Sequence, residues 1–161
     1  NPLPQLMQML MAVDGLRLRG GALYTVLAEL YSNALEHGVM GLDSAMKQGA
    51  SGFARYYQER NRRLQELDEG FVCFSIDVSP TEQGGRLRLE VSDSGKGFKV
   101  GPPAQGSAGK SSLSGRGMAL VRQLADHCAW SEDGKRVCVE EQEGTATSYT
   151  WFMIIFGWLK C

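Results

Sequence analysis

From residue 22 to about 39, Leu23, Leu27, Leu30 and Ala34 recur at helical spacing, whereas segments 71–78 and 86–91 alternate apolar and polar residues. This change of period constrains the fold more than any other feature. Helical patterns come first and neighbouring strands follow, joined by the short polar connection 81–85, so the chain does not read as repeated strand–helix–strand units. The expected class is α+β: a two-layer sandwich with helices on one face of a mixed, mostly antiparallel sheet.

The remaining segments fit that plan. Residues 3–13 form a short Met-rich helical run, broken at 16–21 with Gly15, Gly20 and Gly21 as punctuation. The 44–67 stretch is strongly charged around a narrow stripe of Phe53, Tyr56, Tyr57, Leu64 and Leu67, which predicts an exposed helix packed by one edge. Residues 101–114 have no periodic stripe and read as a loop. Met118, Leu120, Val121 and Leu124 mark a helix over 115–126, and strands are expected at 128–131, 136–141 and 145–156. The last is apolar on both faces and is therefore placed at the sheet centre.

A chain of 161 residues without internal repeats reads as one domain over 1–161. Its start at Asn1, without an initiator Met, suggests a piece cut from a longer chain. A net charge of -1 gives no basis for a nucleic-acid or anionic-membrane partner. The apolar end, 151–159, is about half the length of a membrane-spanning helix. Four scattered cysteines without metal-ligand spacing read as free thiols and suit a cytoplasmic protein.

Three short patterns carry chemistry. On the 22–39 helix, Glu29, Asn33 and Glu36 share a strip bordered by His37. Two carboxylates and an amide on one face can hold a divalent cation, orient a water or accept a proton; alone, they also fit a solvated helix face. Asp93-Ser94-Gly95-Lys96-Gly97 follows a strand, as a tight turn would, but it also sets a carboxylate at the mouth of a cleft. Gly115-Arg116-Gly117-Met118 opens a helix after Ser114 as N-cap, where backbone N–H groups bind anions and Arg116 can add a charged contact. Lys110-Ser111 is no Walker motif, because Ala104 occupies the position that needs glycine.

Taken together, these patterns resemble the GHKL superfamily of Bergerat-fold ATP-binding proteins. Glu29-x-x-x-Asn33-Ala34-x-x-His37-Gly38 looks like its N box, Asp93-x-Gly95-x-Gly97 and Gly115-x-Gly117-Met118 like its two glycine boxes, and Gly144-Thr145 like the motif opening its last strand. The resemblance implies ATP and Mg²⁺ as cofactors. Asn33 is then the Mg²⁺ ligand, and Glu29 is the general base that activates a water or a protein hydroxyl. Asp93 accepts the adenine amino group, Gly95 and Gly97 let the backbone approach the base, and Gly115, Arg116, Gly117, Met118 and Thr145 complete the ATP site. Segment 99–114 resembles the ATP lid, in which Lys110, like Lys96 before it, either meets phosphates or is a solvated lysine. Glu36 is either a second-sphere partner of Mg²⁺ or a surface charge, and His37 is a packed, hydrogen-bonded residue and not a phosphoacceptor.

Within the superfamily, gyrase-like ATPases and anti-sigma-factor serine/threonine kinases carry glutamate at the position of Glu29, and a compact unit with that residue looks most like the latter, which phosphorylate a serine on a STAS-type anti-anti-sigma partner. The 39–44 continuation resembles versions fused behind a receiver and a PP2C-like phosphatase domain, although the 44–70 insertion is longer than in stand-alone kinases of this type. The implied partners are a STAS-domain anti-anti-sigma factor and a sigma factor, with a homodimer left open. Two other readings remain: a nucleotide-gated module that sequesters its partner without turnover, and the ATP-binding half of a histidine kinase.

Overall fold

A computed structural model describes residues 1–13, 15–81, 84–97, 116–131, 135–143 and 150–159. Helix α1 (Leu3–Met11) leads through a 3-10 turn (Leu16–Arg19) into α2 (Gly20–Ser32). The chain continues from α2 without a break as a π-helical segment, Asn33–Val39. A second 3-10 turn (Ser44–Lys47) precedes α3 (Gly52–Glu66). Strands β1 (Glu69–Thr81) and β2 (Gly84–Asp93) come next, then α4 (Arg116–Leu124), β3 (His127–Trp130), β4 (Arg136–Glu143) and β5 (Thr150–Leu159).

The strands form one five-stranded sheet in the order β3-β4-β2-β1-β5. Every described pairing is antiparallel. Alternation in β1 and β2 determines which face is covered. Val72, Phe74, Ile76 and Val78 are buried, as are their neighbours Leu87, Leu89 and Val91, and they pack with Leu23, Val26, Leu27 and Leu30 of α2 into a single core. Fully burying such a side chain contributes about 1.5–3 kcal/mol, so this stripe-on-sheet contact dominates the stability. The opposite face carries Ser75, Asp77, Ser79, Arg86, Arg88 and Glu90, which surround a shallow polar hollow. The expected α+β two-layer class is therefore observed.

Two expectations need correction. The last strand lies at the edge of the described sheet, paired only with β1, and not at its centre. Apolar residues on both faces report what lies above and below a strand, not how many neighbours it has within the sheet. On α3, Tyr56 is buried as expected, but Phe53 and Tyr57 are 49% and 56% exposed. The charged helix therefore docks through Tyr56 and the partly buried Leu64, a narrower contact than the full stripe suggested.

Candidate nucleotide site

Above the N-terminal half of β4 and the C-terminal half of β2, beneath the end of α2, lies a cavity of about 400 Å³. Asn33, His37 and Gly38 reach it from the π-helical segment, Asp93 and Gly97 from the turn after β2, and Met118 from α4. Val91 and Val137 form its floor. Its size and its mixture of an apolar floor with a few convergent polar groups are those of a small-ligand site.

The glycines bring these elements together. Gly95 packs against the Gly38 backbone so closely that a Cβ would overlap the Gly38 carbonyl, and Gly38 in turn lies against the Asp93 carboxylate. Asp93 Oδ1 accepts the Gly95 N–H at 2.8 Å, and Ser94 is tied to Phe71 of β1 through both its backbone and its hydroxyl. The turn at Gly97 uses a φ of 74°. In this way the polar end of the N-box helix and the acidic turn are locked together, although some fifty residues of sequence separate them.

Asn33 donates from Nδ2 to Met118 Sδ at 2.9 Å, which joins α2 to α4 and leaves its amide oxygen as a hard donor. His37 donates from Nδ1 to the Leu42 carbonyl at 2.6 Å, a bond that fixes its tautomer, with Nε2 unprotonated in the neutral ring. It is hydrogen-bonded as expected, while its side chain also borders the cavity. Glu29 does not line the cavity. Its carboxylate instead packs on the first turn of α4, where a Cβ at Gly117 would lie 2.8 Å from the Glu29 carboxyl carbon.

Glu36 occupies neither of the positions expected for it. It is 8% exposed and points away from the cavity toward α3. The π-helical turn causes this: its wider i→i+5 pairing, seen in the bond from Met40 N–H to the Leu35 carbonyl, turns fewer degrees per residue than an α-helix and swings Glu36 off the strip of Asn33. Of the remaining expected residues, Arg116 has a helical backbone at the start of α4, whereas Gly115, Thr145 and the lid segment 99–114 lie outside the described residues.

Among the described residues, no three His, Cys, Asp or Glu side chains group as a metal site. This donor set suits Mg²⁺, which takes one or two protein oxygens and completes its octahedron with water and phosphate oxygens. Asn33 fits that requirement. The structure also shows lining residues that sequence reasoning did not single out. Trp130 carries the Arg122 guanidinium 4.6 Å from its ring centroid, and Lys135 lies beside Asp93, whose N–H donates to the Lys135 carbonyl, whereas the Arg136 guanidinium pairs with Glu90 on the other face of the sheet. Trp130 sits opposite Val137, and Val137 opposite Val91, so one row of side chains crosses three strands to form this wall. That register arises from long-range pairing, which no local pattern announces.

The family model of the histidine kinase-like ATPase domain matches residues 19–140, most of the chain and all of the cavity. The chain belongs to that family. No curated protein and no solved structure matches it. This histidine kinase-like ATPase domain is thus a GHKL-type, ATP-binding unit, and the matched segment carries the N box, the acidic turn and the start of α4 together. Among the described residues of the domain, no helix is long and apolar enough to cross a membrane.

Proposed function

We propose that the domain is an ATP-dependent serine/threonine protein kinase of the anti-sigma-factor type, acting on a serine of a STAS-type partner in the cytoplasm. The observation that carries this reading is the position of Glu29. It stands one helical turn before Asn33 and packs its carboxylate on Gly117 at the start of α4, the end of the site that receives phosphate. The Asn33 amide oxygen would hold Mg²⁺ there, and the ion would supply charge neutralisation for the triphosphate. Asp93 accepts a hydrogen bond from the adenine amino group, and the first N–H groups of α4 face the phosphates. Glu29 takes the proton from the partner's serine as its oxygen forms a bond to the terminal phosphorus and the bond to ADP breaks. A carboxylate suits this task because it is ionised at neutral pH and needs no further activation.

One observation supports a second reading. Because Glu29 lies outside the cavity lining, a nucleotide held by Asn33 and Asp93 without transfer would make the domain a gated module that sequesters a sigma factor or its antagonist. Incubation with Mg-ATP and the STAS partner separates the two. Acid-stable phosphoserine is expected from the kinase, and nucleotide-dependent binding without transfer would replace it with the gated module.

A further inference from the structure

Glu36 is the one charged residue that is buried among those described, and both hydrogen-bond donors to its carboxylate come from α3. Its Oε2 accepts the Tyr56 hydroxyl at 2.6 Å and its Oε1 accepts Arg60 Nε at 2.8 Å. Lys47 lies 4.2 Å above the Tyr56 ring. One turn further, Arg63 donates to the carbonyls of Met40 and Gly41, each at 2.8 Å, which satisfies acceptors left bare where the π-helical segment ends. Tyr56, Arg60 and Arg63 are spaced i, i+4, i+7 and so occupy one face of α3.

This grip falls on the turn that carries the nucleotide-site residues. A π-helical turn is rare and persists where its surroundings hold it, because an α-helical alternative lies close by. In that alternative Glu36 would rotate back toward Asn33, and His37 would shift with it. Asp93 depends less on the grip, since β2 is paired on both sides and Gly95 N–H already orients the carboxylate.

We infer that α3 is a positioning element of the nucleotide site: Tyr56 and Arg60 hold Glu36, fix the wide turn below Asn33, and thereby set the amide that Mg²⁺ uses. The inference rests on the nucleotide-site reading and extends it. It makes the 44–67 stretch part of the site's machinery without any contact to the ligand. Burial alone would raise the Glu36 carboxyl, but the bonds from Tyr56 and Arg60 and the charges of Arg60 and Lys47 outweigh it and hold the group below the usual carboxylate range. Glu36 is therefore held as a carboxylate at neutral pH, bonded by the protonated Tyr56 hydroxyl.

The test is calorimetric titration of ATP into the wild-type chain, Tyr56→Phe, Arg60→Met and Glu36→Gln, once with Mg²⁺ and once with EDTA, alongside thermal unfolding. Tyr56→Phe removes one oxygen and keeps the ring, so it should retain the fold. In each variant the Kd for Mg-ATP is expected to rise about tenfold while the Kd in EDTA changes less than twofold, and Arg60→Lys should recover most of the loss. Equal losses in both titrations, or none in either, overturn the positioning role while leaving the nucleotide site intact. A folded wild-type chain that gives no heat with Mg-ATP overturns both.

Discussion

The two sides of the N-box helix use similar side chains for different ends. On the front, Asn33 and His37 border an open cavity, with the Glu29 carboxylate one turn away against Gly117. On the back, Glu36 is sealed between Tyr56 and Arg60. Two residues separate Asn33 from Glu36, yet one meets ligand space and the other a neighbouring helix. The carboxylate on the front can accept a proton from a substrate, while the one on the back has both oxygens occupied. What distinguishes them is the local helical pitch, not the residue type.

Substitutions on the two sides should therefore fail in different ways. The largest effect is expected on the front. Glu29→Gln should lower phosphate transfer to the partner serine by about 10²- to 10⁴-fold, measured by acid-stable label, with ATP affinity nearly unchanged. Retained transfer would remove the general-base assignment and erase the functional contrast between the two carboxylates. Next, Asp93→Asn should weaken ATP binding by about 10- to 100-fold, the range for losing a hydrogen bond to a charged group, without a comparable fall in Tm. A large drop in stability with intact affinity would mark Asp93 as a turn residue only.

The back should respond in stability as well as in the roughly tenfold loss of Mg-ATP affinity given above, and not in the transfer step itself. Glu36→Ala leaves Tyr56 and Arg60 without their acceptor and should lower the unfolding free energy by about 2 kcal/mol in urea titrations. That is less than the 3–5 kcal/mol typical of a fully buried pair, since Arg60 reaches solvent. The smallest effect concerns pH. Because the folded Glu36 carboxyl lies below its unfolded value of 4.5, its stabilisation is complete above 4.5 and disappears as pH falls through the folded value. Stability curves of wild type and Glu36→Gln should differ by a constant amount near neutrality and converge in acid; a constant difference down to pH 2 would show that the charge is not what matters.

The same contrast marks how far the sequence could be read. The apolar stripe of α2, the alternation of β1 and β2, and the Asp93–Gly97 turn are written in local spacing, and each takes the structure expected of it. The Asn33–Asp93 juxtaposition was legible through the order of the motifs. Glu36 was not, because ideal α-helical periodicity placed it beside Asn33 and nothing in the residues 33–39 announces a π turn. The wall of Val91, Val137 and Trp130, with Arg122 on the Trp130 ring, was hidden for a different reason: it depends on how β4 pairs with β2 and β3, a register that is set across the sheet. Placement of the last strand failed on the same ground, since edge and centre are properties of a sheet and not of a strand.

The central claim is that the front of the N-box helix and the Asp93 turn form one adenine-nucleotide site. Titrating Mg-ATP into the folded chain and into Asp93→Asn tests it most directly. Saturable one-to-one heat in the wild type, strongly reduced in the variant, is the expected result, and no heat from folded wild-type protein would contradict it.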